Sequence, residues 1–263
     1  APGTPFSLVD AVGASSWNAG AEVAGSLLGS ATNPLLEYWP VTSEAMPGPQ
    51  AAEKYQLGDG GIVDVSGLLP LLQRGVPSVI WVAAAEFGLN VSFPWDESCS
   101  CGASCATEFD AVAAGLEGQV TDKFGYGPQL SQATDYHLMN QVFEKKELRS
   151  VACELWHLVK AGKPAVVDLQ LQVMSNSFWG IAGGETVQVK LLYLENSAEF
   201  VQSLPDPTRI QIDLGDDGMF PHFPFYKTMW ERPAEFIAYT LPQINLLSAL
   251  GEYYTVAAYP SAR

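Results

Sequence analysis

The pattern of apolar and polar positions predicts that short helices and strands alternate along much of the chain. Residues 79–84 form a continuous apolar run, which is typical of a strand that is covered on both faces. A short apolar helix is predicted just before it, over residues 68–73, and Arg74 with Gly75 provides its C-terminal signal. A helix followed by a buried strand is what a parallel sheet with crossover helices produces, so the pattern predicts an α/β fold.

The second half of the chain continues this alternation. Residues 145–158 have the spacing of an amphipathic helix, and residues 164–173 and 186–194 alternate as strands do, with a turn rich in Ser, Asn and Gly between them. The apolar face predicted for the helix consists of Leu148, Val151, Ala152, Leu155 and Leu158.

A further helix is predicted at each end of the chain. Thr240 and Gln243 have the spacing of a capping box, and we expect Ile244, Leu247 and Leu250 to form the buried stripe of the helix that follows. Near the start, residues 16–28 favour a helix, which is followed by irregular chain with four prolines. No stretch has the composition of a linker, so the pattern predicts that residues 1–263 form a single domain.

Composition and charge narrow the classes of partner. Apolar residues make up 48% and charged residues 16% of the chain, which excludes intrinsic disorder. The chain has 13 Lys+Arg and 29 Asp+Glu, a net charge of −16, and no basic cluster. Nucleic acids are bound through Lys and Arg, so we expect no nucleic-acid partner. No apolar run reaches the ~18–20 residues of a transmembrane segment, so none is expected.

The state of the four cysteines, bonded or free, indicates the cellular compartment of the protein. Three of them form a Cys-x-Cys-x3-Cys cluster that fits zinc spacing poorly, so we expect no metal. Disulfides would indicate a secretory, lumenal or extracellular protein, whereas free thiols would leave a cytoplasmic one open. The chain begins Ala-Pro-Gly without Met or a signal peptide, which favours a processed N-terminus. The candidates for disulfide bonds are Cys99, Cys101, Cys105 and Cys153.

The strongest local signal is an acidic turn, Gly58-Asp59-Gly60-Gly61. A carboxylate flanked by glycines can be approached closely by another segment, because no side chain blocks it. At the carboxyl edge of a parallel sheet, this is where α/β proteins place reactive groups. The alternative interpretation is an ordinary turn, since Asp-Gly is a common turn pair.

The surrounding sequence resembles the aspartate motif of patatin-like lipid acyl hydrolases and their cytosolic phospholipase A relatives. The resemblance is carried by residues 58–76, where Asp-Gly-Gly is followed by Leu-Leu-Pro-Leu-Leu-Gln-Arg-Gly, and by Ile80 in the next strand. Residues 13–16, Gly-Ala-Ser-Ser, resemble an upstream segment of that family. Residues 220–228 and 243–247 resemble its closing region. The resemblance implies a three-layer α/β/α domain with a mostly parallel sheet, of which this chain is the C-terminal part.

In that family a serine hydroxyl attacks the acyl ester while a single aspartate accepts its proton. The resemblance therefore implies that Asp59 is the catalytic base, with Gly58, Gly60 and Gly61 as the backbone of the motif. It also implies a lipid or ester substrate and no cofactor. A hydroxyl nucleophile requires a base within hydrogen-bond reach, so a Ser–Asp dyad is chemically coherent.

The chain departs from the family's pattern in two places. Val65 stands where most microbial members have Asn. No Gly-x-Ser-x-Gly nucleophile elbow is present, and the nearest sequence, residues 102–106, follows Asp59 and lacks the second glycine. We therefore expect a companion chain or a preceding segment to carry the serine. The alternative is a non-catalytic relative that acts as a binding or assembly subunit.

The three histidines and one acidic stretch are the other candidate groups, and we expect neither to form a metal site. His137, His157 and His222 are too separated for a recognisable metal site, although a Ser-His-Asp triad that uses His222 remains an alternative. The acidic stretch at residues 213–218 lacks the ligand pattern of a calcium loop and is predicted to be a solvated turn.

Overall fold

The computed structural model describes residues 64–85, 87–93, 114–126, 139–225 and 239–259, together with the backbone of two short strands at residues 35–38 and 53–56. It contains both helices and strands, so the predicted α/β class is confirmed at that level. Chain contacts divide the molecule into two compact units, residues 1–65 and 66–263. The helix predicted at residues 16–28 lies outside the described residues.

The two strands described in the first unit form an antiparallel pair. Strand β1 (Leu35–Tyr38) pairs antiparallel with β2 (Glu53–Gln56), and Leu35 lies opposite Gln56. In the sequence, strand β2 ends shortly before the Asp-Gly-Gly motif, which lies outside the described residues.

The second unit contains three further strands and six α-helices within the described residues. The strands are β3 (Ser78–Ala84), β4 (Val166–Gln172) and β5 (Thr186–Leu194). The helices are α1 (Leu69–Gln73), α2 (Gly118–Thr121), α3 (Glu147–Lys160), α4 (Ala198–Ser203), α5 (Asp206–Asp213) and α6 (Leu241–Ala258). Helix α1, β3, α3, β4 and β5 match the predicted elements to within a few residues.

The three strands form a mixed sheet in the order β3-β5-β4. Strands β3 and β5 run parallel, with Val79 opposite Val189, whereas β4 runs antiparallel to β5, with Val167 opposite Leu191. The expectation of a mostly parallel sheet is therefore not met in the described residues. The cause is the connection between β4 and β5, which turns back directly and contains no helix that could cross over.

Gly183 makes this turn possible. Its φ is +73°, and a Cβ atom at this position would lie 2.3 Å from the backbone nitrogen of Ser175. A side chain would therefore collide with the opposite side of the turn, and only glycine allows this close approach.

Strand β3 is covered on one face only, so the expectation of two covered faces was wrong. Val79, Trp81 and Ala83 are buried, with Trp81 only 2% exposed, and they belong to the same core as Leu148 and Leu155. Ile80 and Val82 point the other way and are 55% and 51% exposed. Because all of these residues are apolar, the sequence pattern could not reveal which face lacks a cover.

Helix α3 buries the predicted face. Leu148, Val151, Ala152 and Leu155 are buried, and Leu158 is half-buried at the edge of the same core. Helix α3 contacts β4, which places this apolar face against the sheet.

Helix α6 begins with the predicted capping box but buries a different stripe. The backbone N–H of Thr240 donates to Gln243 Oε1 at 2.8 Å, and the backbone N–H of Gln243 donates to Thr240 Oγ1 at 3.4 Å. Ile244 is exposed and Leu247 only half-buried, whereas Leu250 is buried as expected. The helix is apolar around most of its circumference, so several stripes fit the sequence equally well. The stripe that contacts the rest of the protein is Leu246, Leu250, Tyr254 and Ala258.

No described helix has both the length and the apolar character that crossing a membrane requires.

Because β3 is buried on one face only, the same substitution on its two faces should change the free energy of unfolding by different amounts. Val79→Thr places a hydroxyl in the core and should lower the free energy of unfolding by about 1–3 kcal/mol. Val82→Thr makes the same change on the exposed face and should alter it by less than about 0.5 kcal/mol. Urea denaturation of both variants measures the difference, and equal losses would show that both faces of β3 are covered.

Candidate functional site

The carboxyl ends of the parallel strands β3 and β5 form one edge of the sheet, where α/β proteins commonly place reactive groups. Ala84 lies opposite Leu194 in the register, so β3 and β5 end at the same edge of the sheet. In open α/β sheets, ligands bind beyond this edge. Residues 85 and 87–93 are described after β3, and residues 195–197 connect β5 to α4.

A buried carboxylate, Glu195, joins these two segments. Its Oε2 accepts a hydrogen bond from the backbone N–H of Leu89 at 2.7 Å, and its Oε1 accepts one from the N–H of Asn196 at 2.8 Å. Glu195 is only 4% exposed. The side chain thus ties the segment that leaves β3 to the segment that leaves β5.

A tyrosine from α6 completes the connection. The hydroxyl of Tyr254 donates to the carbonyl oxygen of Glu195 at 2.8 Å and lies 3.3 Å from the backbone N–H groups of both Glu195 and Ala165, which donate to it. Burial raises the pKa of Tyr254 to about 12, so the hydroxyl stays neutral at physiological pH. Three backbone groups of the sheet margin therefore depend on one side chain of the last helix.

A second tyrosine supports the same edge. Tyr193, near the end of β5, is fully buried, and its hydroxyl accepts a hydrogen bond from the backbone N–H of Glu117 at 3.0 Å. Burial raises the pKa of Tyr193 above its ordinary value. The neutral hydroxyl fixes the start of α2 against the strand.

The proton affinity of Glu195 is unusual for a glutamate. Burial raises the pKa of its carboxyl to about 7, and the hydrogen bonds from Leu89 and Asn196 offset part of this effect. A carboxyl with such a pKa can exchange a proton near neutrality, as a general acid or base does. The value alone does not make it catalytic, because buried structural groups are shifted in the same way.

The packing around Glu195 indicates a structural role. Both carboxylate oxygens already accept backbone hydrogen bonds. A Cβ atom at Gly88 would lie only 3.2 Å from Glu195 Oε1 and 3.1 Å from the ring of Phe225, so the backbone packs directly against the carboxylate. These contacts indicate that Glu195 holds the edge of the sheet in place.

A second buried polar cluster surrounds Lys123. Its side chain is fully buried, and Nζ lies 3.0 Å and 2.9 Å from the two carboxylate oxygens of Asp122. Asn140 donates to Asp122 at 3.1 Å and accepts a hydrogen bond from the indole N–H of Trp179 at 3.1 Å. This chain of contacts joins the turn after α2 to the connection between β4 and β5.

The buried clusters were not anticipated from the sequence. An acidic residue directly after an apolar strand, as in Leu194-Glu195, is a signal that could have identified Glu195. No comparable signal identifies Lys123, because lysine is almost always exposed and its burial depends on distant packing.

The residues predicted to carry the chemistry mostly lie outside the described residues. This holds for Asp59 with Gly58, Gly60 and Gly61, for the nearest elbow-like sequence at residues 102–106, and for His137. It also holds for three of the four cysteines, Cys99, Cys101 and Cys105. Cys153 lies buried on α3 and is disulfide-bonded, with a partner outside the described residues.

The remaining candidates lie at the surface. His157 is exposed on α3. His222 Nε2 lies 3.1 Å from Asp216 Oδ1 in the turn after α5, where both side chains are well exposed. Asp213, Asp216 and Asp217 are exposed too, as expected of a solvated stretch, but Asp213 ends α5 and residues 215–217 form a short 3-10 helix. Within the described ranges no three His, Cys, Asp or Glu side chains are grouped as metal ligands.

Comparisons with protein-family models, with curated proteins and with solved structures give no significant match for this chain. The resemblance to patatin-like hydrolases therefore rests on the order and content of the sequence motifs alone.

The pKa of Glu195 predicts how stability depends on pH. The group binds its proton more tightly in the folded chain, so its contribution favours folding below pH 4.5 and is lost as the pH rises to about 7. The full shift corresponds to about 3 kcal/mol. Glu195→Gln cannot ionise and should remove this part of the pH dependence, as measured by urea denaturation between pH 5 and pH 8.

Glu199→Gln is the matched control, because Glu199 lies exposed at the start of α4 only four residues away. It should keep the pH dependence of the unmodified chain. A Glu195→Gln variant with an unchanged slope would contradict the assignment of this titration to Glu195.

The cluster around Lys123 predicts a large stability loss from a single substitution. Lys123→Met leaves the carboxylate of Asp122 without the ammonium and should cost about 3–5 kcal/mol of unfolding free energy. Lys163→Met, at an exposed position, should cost less than about 0.5 kcal/mol. Denaturation of a third variant, Asp122→Asn with Lys123→Met, should recover much of the loss; no recovery would show that the ion pair is not the cause.

Proposed function

We propose that this chain supplies the catalytic base, Asp59, of a lipid acyl hydrolase that works through a Ser–Asp dyad. The observation that carries the proposal is the Asp-Gly-Gly motif and its position in the order of elements. Strand β2 precedes the motif, and helix α1 and strand β3 follow it. This is the order in which patatin-like hydrolases arrange the strand, the aspartate turn, the helix and the next strand of this region.

The chemistry of the proposed reaction requires few groups. The serine oxygen attacks the ester carbonyl while the Asp59 carboxylate accepts the hydroxyl proton, and the proton then passes to the departing alcohol. Water releases the acyl group from the serine in a second step, with Asp59 again as the base. A carboxylate in an apolar pocket has a raised pKa, which makes it a stronger base than it is in water.

The proposal includes the fold and the location of the missing nucleophile. The fold proposed for the whole domain is the C-terminal part of a three-layer α/β/α patatin-like domain; the described residues have the α/β class, with β3 covered on one face. Because no Gly-x-Ser-x-Gly sequence occurs in residues 1–263, the serine is supplied by a companion chain or segment. The disulfide bond of Cys153 supports an oxidising, secretory or lumenal compartment.

A second candidate function is a non-catalytic binding or assembly subunit. Two observations favour it: the absence of a nucleophile elbow from the sequence, and the exposed apolar side chains of Ile80 and Val82 on one face of the sheet. Exposed apolar surface of this kind occurs where a protein meets a partner.

Substitution of Asp59 tests the proposal directly. Asp59→Asn in the complete protein, as isolated from its source, should lower kcat for hydrolysis of p-nitrophenyl esters by about 100-fold or more, which is the usual effect of removing a general base. Asp64→Asn, five residues further along, is the matched control and should retain activity. Unchanged turnover by Asp59→Asn would overturn the assignment.

A fluorophosphonate probe separates the two candidate functions. The probe reacts with activated serines, so a hydrolase should become labelled at a serine on a companion segment, and mass spectrometry would locate that serine. Labelling should disappear in the Asp59→Asn variant. A protein that neither hydrolyses the esters nor reacts with the probe is a binding or assembly subunit.

A further inference from the structure

A polar cleft opens on the face of the three-stranded sheet that carries Ile80 and Val82. Its volume is about 420 Å³, within the range of about 300–1,000 Å³ that is typical of small-molecule sites. Six of the described residues that line it are Ser78, Asp168, Gln170, Gln188, Lys190 and Tyr259.

The strand register places these polar side chains in two adjacent rows. Gln188 of β5 lies between Ser78 of β3 and Gln170 of β4, and Lys190 lies beside Asp168 in the next row. Neighbouring strands are about 4.8 Å apart, and successive residues on one face are about 7 Å apart. Gln170 and Gln188 are therefore one strand spacing apart, so their long side chains can both reach the same sugar ring.

The charges in the cleft balance each other. Lys190 Nζ lies 2.5 Å from Asp168 Oδ1 and 5.2 Å from the centre of the Tyr259 ring, and the lysine side chain is only 18% exposed. An anion would meet a lysine that is already paired and a protein with a net charge of −16. A cation would meet a carboxylate that is already paired. The cleft therefore suits an uncharged ligand.

The hydrogen-bonding groups indicate what kind of uncharged ligand fits. Gln170 and Gln188 are exposed and adjacent, and each carboxamide offers two N–H donors and a carbonyl acceptor. Neighbouring hydroxyls of a sugar both donate and accept, which matches a pair of carboxamides. The ring of Tyr259, at the end of α6, provides an apolar wall for the C–H face of the sugar.

We propose that this cleft is a binding site for a neutral pyranose sugar. Gln170 and Gln188 hydrogen-bond adjacent hydroxyls, Ser78 and Asp168 contact further hydroxyls, and Tyr259 packs against the ring. The site is assembled from β3, β4, β5 and the end of α6, so it exists only in the folded chain. It does not depend on the role proposed for Asp59.

Saturation-transfer NMR on the complete chain tests the proposal. The probes are methyl α-glucopyranoside, methyl β-galactopyranoside, maltose and lactose. We expect at least one of them to bind, and to bind about tenfold or more weakly to the variant with both Gln170→Leu and Gln188→Leu. If none of the four binds, or if binding is unchanged in this variant, the proposal is wrong.

Three further measurements make the result specific. Gln172→Leu alters the same face of β4 at a residue outside the lining given above and should leave binding unchanged; an equal loss there would overturn the proposal. Tyr259→Ala should also weaken sugar binding. Because Tyr259 is not part of a strand, this variant can replace the double variant if the latter fails to fold. Methyl glucuronide, whose carboxylate is charged, should bind more weakly than the neutral sugars, and equal binding would contradict the argument from charge.

Discussion

The buried carboxylate of Glu195 holds the two segments that follow the parallel strands β3 and β5. The backbone N–H groups of Leu89 and Asn196 are directed at the Glu195 side chain, and a buried donor without an acceptor costs about 1–3 kcal/mol. Tyr254 brings the last helix to the same place through three backbone hydrogen bonds. The segments that follow β3 and β5 and the position of α6 therefore depend on one another.

Elements with one buried and one polar face could be predicted from the sequence. The spacing of apolar residues in α3, β4 and β5 is clear because each of these elements has polar residues on the side that faces the solvent. The capping box of α6 is local chemistry and needs no knowledge of the rest of the fold. The antiparallel pairing of β4 with β5 could also have been inferred, since the turn between them has no helical pattern.

Features that depend on distant packing could not be predicted in the same way. Strand β3 and helix α6 are apolar on more than one side, so the sequence does not show which side is covered. The burial of Lys123 and the pKa of Glu195 arise from segments far away in sequence. Asp59 is the reverse case: its proposed role comes from sequence motifs, and it lies outside the residues that the structure describes.

The composition of β3 has a consequence for how copies of the protein behave towards one another. β3 is an outer strand of its three-stranded sheet, and none of its seven residues is charged, although outer strands are commonly guarded by lysine or proline against pairing with other chains. Electrostatic repulsion between molecules of charge −16 opposes such pairing. Acidification towards the isoelectric point near 4.4, or screening by counter-ions, weakens that repulsion. The colloidal stability of the protein therefore depends on the pH and the salt concentration, even under conditions that leave the fold unchanged.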